Sequence, residues 1–295
     1  MPIHGIATRN CQYGKCTQKG TKMSDIVLSS GVRSNLLQLQ QTSDLITSTQ
    51  TKLATGKRVN SALDNPNNFF TAQGLDNRAN DLSNLLDSMS TGINTIQAAN
   101  NGISAITKLV QSAQSLTSQA NQTSDTSVRA SLATQFDALL TQIGQLAGDA
   151  GFNGINLLAG NTLTVQLNET STSSTSIVGV DYTNANNSPL SIANAANSWS
   201  GTADIAAASA ALTTALTSLR SESQALGASL TTVQVRQDFT KATINTLQTG
   251  SSDLTLADSN QEGANLLALQ TRQQLSTTAL SLASQADQNV LKLFQ

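Results

Sequence analysis

The sequence predicts a mainly α protein: a long antiparallel helical rod or coiled coil formed by the N- and C-terminal regions, with a small β-containing insertion in the middle. Three observations predict it. Apolar residues recur at alternating steps of three and four toward both ends of the chain, which gathers them on one side of a helix. Only three prolines occur, Pro2, Pro66 and Pro189, so long helices can run between them. The helical spacing lapses across residues 149–200, where turn residues and short alternating runs replace it.

Residues 1–22 show no helical period. They read as a disordered tail or as an extension from a mis-assigned upstream start, with Met23-Ser24-Asp25 as the natural beginning. A first helix then runs from Ile26. Its seam is Val32, Leu36, Leu39, Ser43, Ile46, Gln50 and Leu53, with polar seam positions that weaken a coil and fix its register. Gly56 ends it, and Pro66 marks a further stop.

The next pattern is the strongest. Leu75, Ala79, Leu82, Leu86, Met89, Ile93, Ile96, Ala99, Ile103, Ile106, Val110 and Ala113 predict a helix from Phe69 to Ala120. At 1.5 Å per residue it would be roughly 75 Å long. Gly92 and Gly102 would each cost it about 1 kcal/mol. A shorter helix through Val128, Leu132, Phe136, Leu139, Ile143 and Leu146 follows, ending near Gly148.

In the middle, the Asn-Gly pair of DAGFNGINLLAGN suggests a hairpin turn, and TLTVQL and SIVGVDY suggest strands. NETSTSSTS and NANNSP read as loops. Helix returns with Leu212, Leu216, Leu219, Ser223, Leu226, Leu230, Val233, Gln237, Thr240, Ile244 and Leu247. Gly250-Ser251-Ser252-Asp253 is a break or a soft spot before the last helix. There the predicted seam is Ala264, Ala268, Thr271, Leu275, Ala279, Ala283, Ala286, Val290 and Leu293. Leu266, Leu267, Leu269, Leu280, Leu282, Leu291 and Phe294 lie beside it, so apolar residues occupy more than one face. One helical partner covers one seam, and the other face needs further neighbours. Charge is sparse here: after Gly263 only Arg272, Asp287 and Lys292 carry it. Such a helix is suited to being surrounded by protein.

These patterns give the boundaries. Residues 1–22 are a tail, 23–66 an N-terminal arm, 67–160 and 203–252 the two parts of a rod, 161–202 a small surface-exposed insertion, and 253–295 a C-terminal arm. The arm residues expected to carry assembly are Val32, Leu36, Leu39, Ile46, Leu53, Leu275, Ala279, Ala283, Ala286, Val290, Leu293 and Phe294. Rod packing falls to Leu82, Leu86, Met89, Ile93, Ile96, Ile103, Ile106, Val110, Leu219, Leu226, Leu230 and Val233. The arms bury too little alone, so they are expected to order fully only in an assembly.

Composition excludes several function classes. Charged residues are 12% and aromatics 3% of the 295 residues, and the net charge is −2. That gives no electrostatic case for binding nucleic acid or an anionic membrane. No apolar run is long enough for membrane insertion, and the first residues lack the apolar stretch of a secretory signal. His4, Cys11 and Cys16 are the only imidazole and thiols, all within the first 16 residues and too few for a closed metal site. Beyond them His- or Cys-based catalysis has no residues to use, and no phosphate-binding Gly-rich loop occurs. We read no enzyme activity, no cofactor and no metal. An enzyme or ligand site in 161–200 is a poor alternative, because the segment is short and lacks an acid–base pair.

Three motifs stand in order along the chain: LATGKRVNSALDNP at 53–66, GFNGINLLAG at 151–160, and ADSNQEGANLLALQTRQQLSTTALSLASQADQNVLKLF near the end. In these the chain resembles bacterial flagellin, over about residues 24–160 and 203–295, and most closely the short forms of that family. Gly56, Lys57, Arg58, Asn60 and Pro66 fall in the family's turn motif. The resemblance implies a filament subunit, exported unfolded through the flagellar type III apparatus, with its terminal arms paired inside a homopolymer. Implied partners are other copies, the export apparatus and an export chaperone, and the filament cap and hook–filament junction proteins. It implies an extracellular filament. The reduced middle implies a comparatively smooth filament surface. A hook–filament junction protein is the nearest alternative reading, and a secreted coiled-coil adhesin or effector a more distant one.

Three departures stand out. The turn after Asn60-Ser61-Ala62 reads Asp64-Asn65-Pro66-Asn67, where the family often has Asp-Asp-Pro/Ala-Gly. The tail 1–22 is outside the family pattern and would crowd an inner tube. Relatives sensed by the vertebrate Toll-type flagellin receptor carry Gln-Arg-Val-Arg-Glu-Leu, where this chain has Ser104-Ala105-Ile106-Thr107-Lys108-Leu109. Without either Arg, weak recognition is expected.

Overall fold

The computed structural model describes residues 30–187 and 189–293. The tail, the proposed start at Met23, the first turn from Ile26 and Phe294 lie outside them, as do the side chains of Val290 and Leu293. Helix α1 is Ser30–Thr55, α2 Pro66–Gln122, α3 Thr126–Asp149, α4 Thr202–Thr255 and α5 Ser259–Leu293. Strands β1 (Thr162–Gln166) and β2 (Ser174–Val178) form a two-stranded antiparallel sheet, with Leu163 opposite Ile177 and Val165 opposite Thr175. A short 3-10 turn spans Ala196–Trp199.

The chain forms two compact units. One pairs α1 with α5; the other is Lys57–Ala257. Residues 57–65, expected with the N-terminal arm, belong to the second unit.

Local chemistry sets the helix ends. α1 stops where Gly56 takes φ +67°, a conformation open to glycine. Pro66, read above as a stop, instead opens α2 at its first position, where a missing N–H costs nothing. The Asn65 side chain caps that end by accepting from Asn68 N at 3.1 Å. Asp125 caps α3, its Oδ1 accepting from Ser127 N at 2.8 Å. The suspected break at 250–253 does not occur: α4 runs on to Thr255. A glycine costs one helix position about 1 kcal/mol, which the packing around it offsets.

In the second unit, α2 and α4 run antiparallel. Gly250 lies against Leu75, and Ser223 Oγ donates to Asn100 Oδ1 at 2.8 Å. α3 folds back along α2. The buried Arg129 fastens this corner, its Nε donating to Ala120 O at 3.1 Å and Thr123 O at 2.7 Å. The core holds Leu82, Met89, Ile96, Ile103, Ile106 and Val110 of α2, Phe136 and Ile143 of α3, and Leu212, Leu219, Leu226 and Val233 of α4. Leu86, Ile93 and Leu230 pack against it half-buried, while Leu85 is the more deeply buried of the Leu85–Leu86 pair.

The middle segment is not simply a surface insertion. Leu163, Val165, Ile177, Tyr182, Ala185, Leu190, Ile192 and Trp199 are all buried and belong to the same core. Trp199 rests on Phe136 with ring centroids 4.9 Å apart. Gly92 and Gly102, costly to a helix, are what let this layer approach: a Cβ on Gly92 would lie 2.7 Å from Val165 Cγ2, and one on Gly102 2.7 Å from Leu158 Cδ1. The Asn153-Gly154 turn is present, but it closes a single bridge, Phe152 to Ile155, and the sheet forms downstream.

Candidate functional site

The α1–α5 pair leaves six leucines exposed; Phe70, Val178, Val235 and Phe239 of the second unit are exposed as well. The helices are antiparallel, with Lys52 Nζ near the end of α1 lying 3.7 Å from Glu262 Oε1 near the start of α5. Burial along α1 marks the face turned to its partner: Val32, Asn35, Leu39, Thr42, Ile46, Thr49 and Leu53. On α5 the matching face is Glu262, Leu266, Leu269, Gln273, Ser276, Leu280 and Ala283. Both sets keep the alternation of three and four.

Within one chain the two helices meet in registers that differ from the predicted assembly seams. On α1, Val32, Leu39, Ile46 and Leu53 are turned to α5. Leu36 is not; Thr42 and Thr49 are inside instead of Ser43 and Gln50. On α5, Leu275, Ala279 and Ala286 are exposed, and only Ala283 of the predicted set is half-buried. The physical reason is area. The face with Leu266, Leu269 and Leu280 offers three large side chains, each worth about 1.5–3 kcal/mol when fully buried, against mostly alanine on the other. Thr42 suits the inside because its Oγ1 donates to Gln38 O of its own helix at 2.8 Å.

What remains outside is apolar. Leu36, Leu37 and Leu45 of α1 and Leu267, Leu275 and Leu282 of α5 are exposed, Leu275 to 67%. A groove of about 530 Å³ runs beside the seam, lined by Leu45, Thr49, Ala268, Leu269 and Arg272 among others. Scattered exposed leucines are ordinary, but six on two paired helices with little charge form a surface fit to receive another apolar helix.

The turn motif is a clasp within the second unit. Arg58 N donates to Thr255 O at 2.6 Å, and Arg58 Nη2 to Leu254 O at 3.3 Å. Lys57 bridges Leu256, and Val59 is buried. Asn60 Nδ2 donates to Lys57 O at 2.9 Å, and Asp64 Oδ2 accepts from the backbone N–H of Asn60 and of Ser61, both at 2.9 Å. The motif thus fixes the two strands of chain that lead to α2 and away from α4.

Few titratable groups are perturbed. Burial pushes the Glu222 carboxyl above its ordinary range. Burial, and then the Glu222 charge, push the Tyr182 phenol well above its own. The Arg78 guanidinium pairs with Glu169 at 2.7 Å, and Glu169 is held below the ordinary carboxylate range, mainly by a backbone hydrogen bond. Among the described residues no group of three His, Cys, Asp or Glu is placed to hold a metal, and no helix is long and apolar enough to cross a membrane.

Known proteins align with this chain along most of its length. Residues 29–162 match the family described as bacterial flagellin N-terminal helical region, and residues 209–294 the bacterial flagellin C-terminal helical region. Flagellin FljK of Caulobacter vibrioides is 33% identical over 92% of this chain and 99% of its own. A flagellin of Brucella melitensis is 29% identical over 92% of this chain and 100% of its own. A crystal structure of Bacillus cereus flagellin aligns with TM-score 0.44 and 20% identity, over 53% of this chain and 88% of that one.

Proposed function

The chain belongs to the bacterial flagellin family, and from that premise we propose that α1 and α5 are the elements through which its copies join. The protein is a structural subunit of the flagellar filament, the extracellular polymer of swimming motility, and it polymerises with itself. The single observation that supports the assembly role of the arms is their leftover apolar face: Leu36, Leu37 and Leu45 on one helix, Leu267, Leu275 and Leu282 on the other. The Lys57–Ala257 unit corresponds to the predicted rod, and residues 57–66 form a clasp within it.

The finer partners follow from the same family reading. The subunit is passed unfolded through the flagellar export apparatus after release from a chaperone. It is then placed between the junction proteins at the base and the cap at the tip. It performs no catalysis and takes no cofactor. Ser104, Ala105, Thr107 and Lys108 leave the vertebrate flagellin receptor without its arginine contacts, so recognition is weak; equal potency to Arg-containing flagellins in a receptor assay would refute this.

Seeded polymerisation followed by electron microscopy tests the main reading. Purified full-length protein added to short filament seeds should extend them into long filaments. Seeds that gain only a short terminal zone would point to a junction protein, and seeds that do not grow would remove the assembly role.

A further inference from the structure

Residues 189–200 cross the helices of the second unit in a conformation that the backbone alone does not favour. Asn197, Ser198 and Trp199 have φ of 48°, 50° and 57°, and Ser191 has φ 50°. Three consecutive left-handed residues without a glycine are unfavourable, since each Cβ crowds its own carbonyl. The side chains hold them there. Trp199 is fully buried against Phe136, and Leu190 and Ile192 are buried with it. The burial is itself imperfect, because Trp199 Nε1 is enclosed without an acceptor among the described residues.

Hydrogen bonds supplement that grip, Ser191 N donating to Asn187 O at 2.8 Å and Ser200 N to Asn197 O at 3.1 Å among them. Asp137 Oδ1 on α3 accepts from Ala195 N at 2.8 Å, and Ile192 N donates to Ala185 O at 2.8 Å. Arg129 Nη1 reaches Ser200 O at 3.4 Å, and Asn197 Nδ2 reaches Asp204 Oδ2 at 3.3 Å, both long.

We propose that residues 189–200 are a strap that opens and recloses as one unit, with Trp199 as its plug and the left-handed turn 197–199 as a spring. Opening releases the backbone strain and frees the indole N–H to water. Closing recovers the apolar contact with Phe136. The helices beneath keep their own α2–α4 packing in either state, so the motion is local.

Trp199 is the only tryptophan in the chain, which makes its emission a direct reporter. Hydrogen exchange of the full-length soluble subunit, read beside acrylamide quenching of that emission, tests the strap. The Ile192 amide should be at least tenfold less protected than the amides of Ile96 and Leu219, with quenching that tracks its opening. Asp137→Ala removes the acceptor for Ala195 and should raise strap opening about tenfold. Asp137→Asn keeps a carbonyl there and should restore much of the closure. Ser198→Gly relieves the strain and should slow opening about threefold, and Ser198→Asn, which tolerates the left-handed region, should move it the same way. Equal protection of Ile192 and the α2–α4 amides would overturn the proposal. So would Asp137→Ala speeding exchange equally along α2, α4 and the strap, or Ser198→Gly making opening faster.

Discussion

Met89, Ile96, Ile106 and Phe136 in the Lys57–Ala257 unit are fully buried, whereas the most buried apolar residues of the α1–α5 pair, Val32 and Ile46, keep 5% and 9% of their exposure. The second unit has several layers: α2 and α4 against each other, α3 along α2, and the sheet and strap beside them. The first has two helices and one seam, and part of that seam is Thr42, Thr49, Gln273 and Ser276. A helix pair with polar residues in its only seam gains little from association, while the leucines that could contribute more point away. The difference supports the proposed division of labour: the second unit encloses a core of its own, and the first leaves leucines uncovered.

The largest expected effect breaks the self-sufficient side. Phe136→Ala should cost about 3–5 kcal/mol, read as a lower denaturant midpoint for the second unit. No change would mean that its core is not the source of its stability. Next, Leu275→Asp places a charge on the open face of α5. Solution stability of the subunit should stay within about 0.5 kcal/mol, while seeded elongation slows by about tenfold or more because the charge would be buried unpaired in the polymer. Loss of stability without loss of elongation would reverse the assignment of the two units. Thr49→Val sharpens the comparison from the arm side. It replaces a polar seam residue by an apolar one of similar size and should strengthen the α1–α5 pair by less than about 1 kcal/mol, read as slower exchange of arm amides in the soluble subunit.

The smallest effect is a pH dependence confined to the second unit. Glu222 has its carboxyl raised by burial, so the folded state holds that proton more tightly than the unfolded chain does. Stability from this group is therefore present below the ordinary value of 4.5 and falls as pH rises through the raised one. Glu222→Gln should melt slightly higher than the parent at pH 7, and the gap should close on acidification. A gap that widens toward acid would contradict the burial argument.

Much of the fold was legible in the sequence because helices announce themselves by period. The twelve-residue seam from Leu75 to Ala113 predicted α2, and its start was placed three residues late because Pro66, which opens the helix, reads equally as a stop. Register was less legible in the arms. The two candidate seams of α1 share Val32, Leu39, Ile46 and Leu53, and differ only in Leu36, Ser43 and Gln50 against Asn35, Thr42 and Thr49. Counting apolar residues favours the first set. The pairing uses the second, in which Thr42 satisfies its hydroxyl on Gln38 O of its own helix, and Leu36 stays exposed. Trp199, Tyr182 and Leu190 were not legible as core at all. They lie in a segment without period, where no spacing says which side chains point inward. The three motifs did point to the right family, since their order and spacing survive even where local conformation is irregular.

Hydrogen exchange of residues 30–56 and 259–293, in the dilute soluble subunit and again in the seeded filament, tests the division of labour most directly. The expected result is fast exchange of both arms in the subunit and strong protection in the filament, with the α2 and α4 core amides protected in both. Arms already as protected as α2 in the dilute subunit, with no gain on assembly, would contradict it.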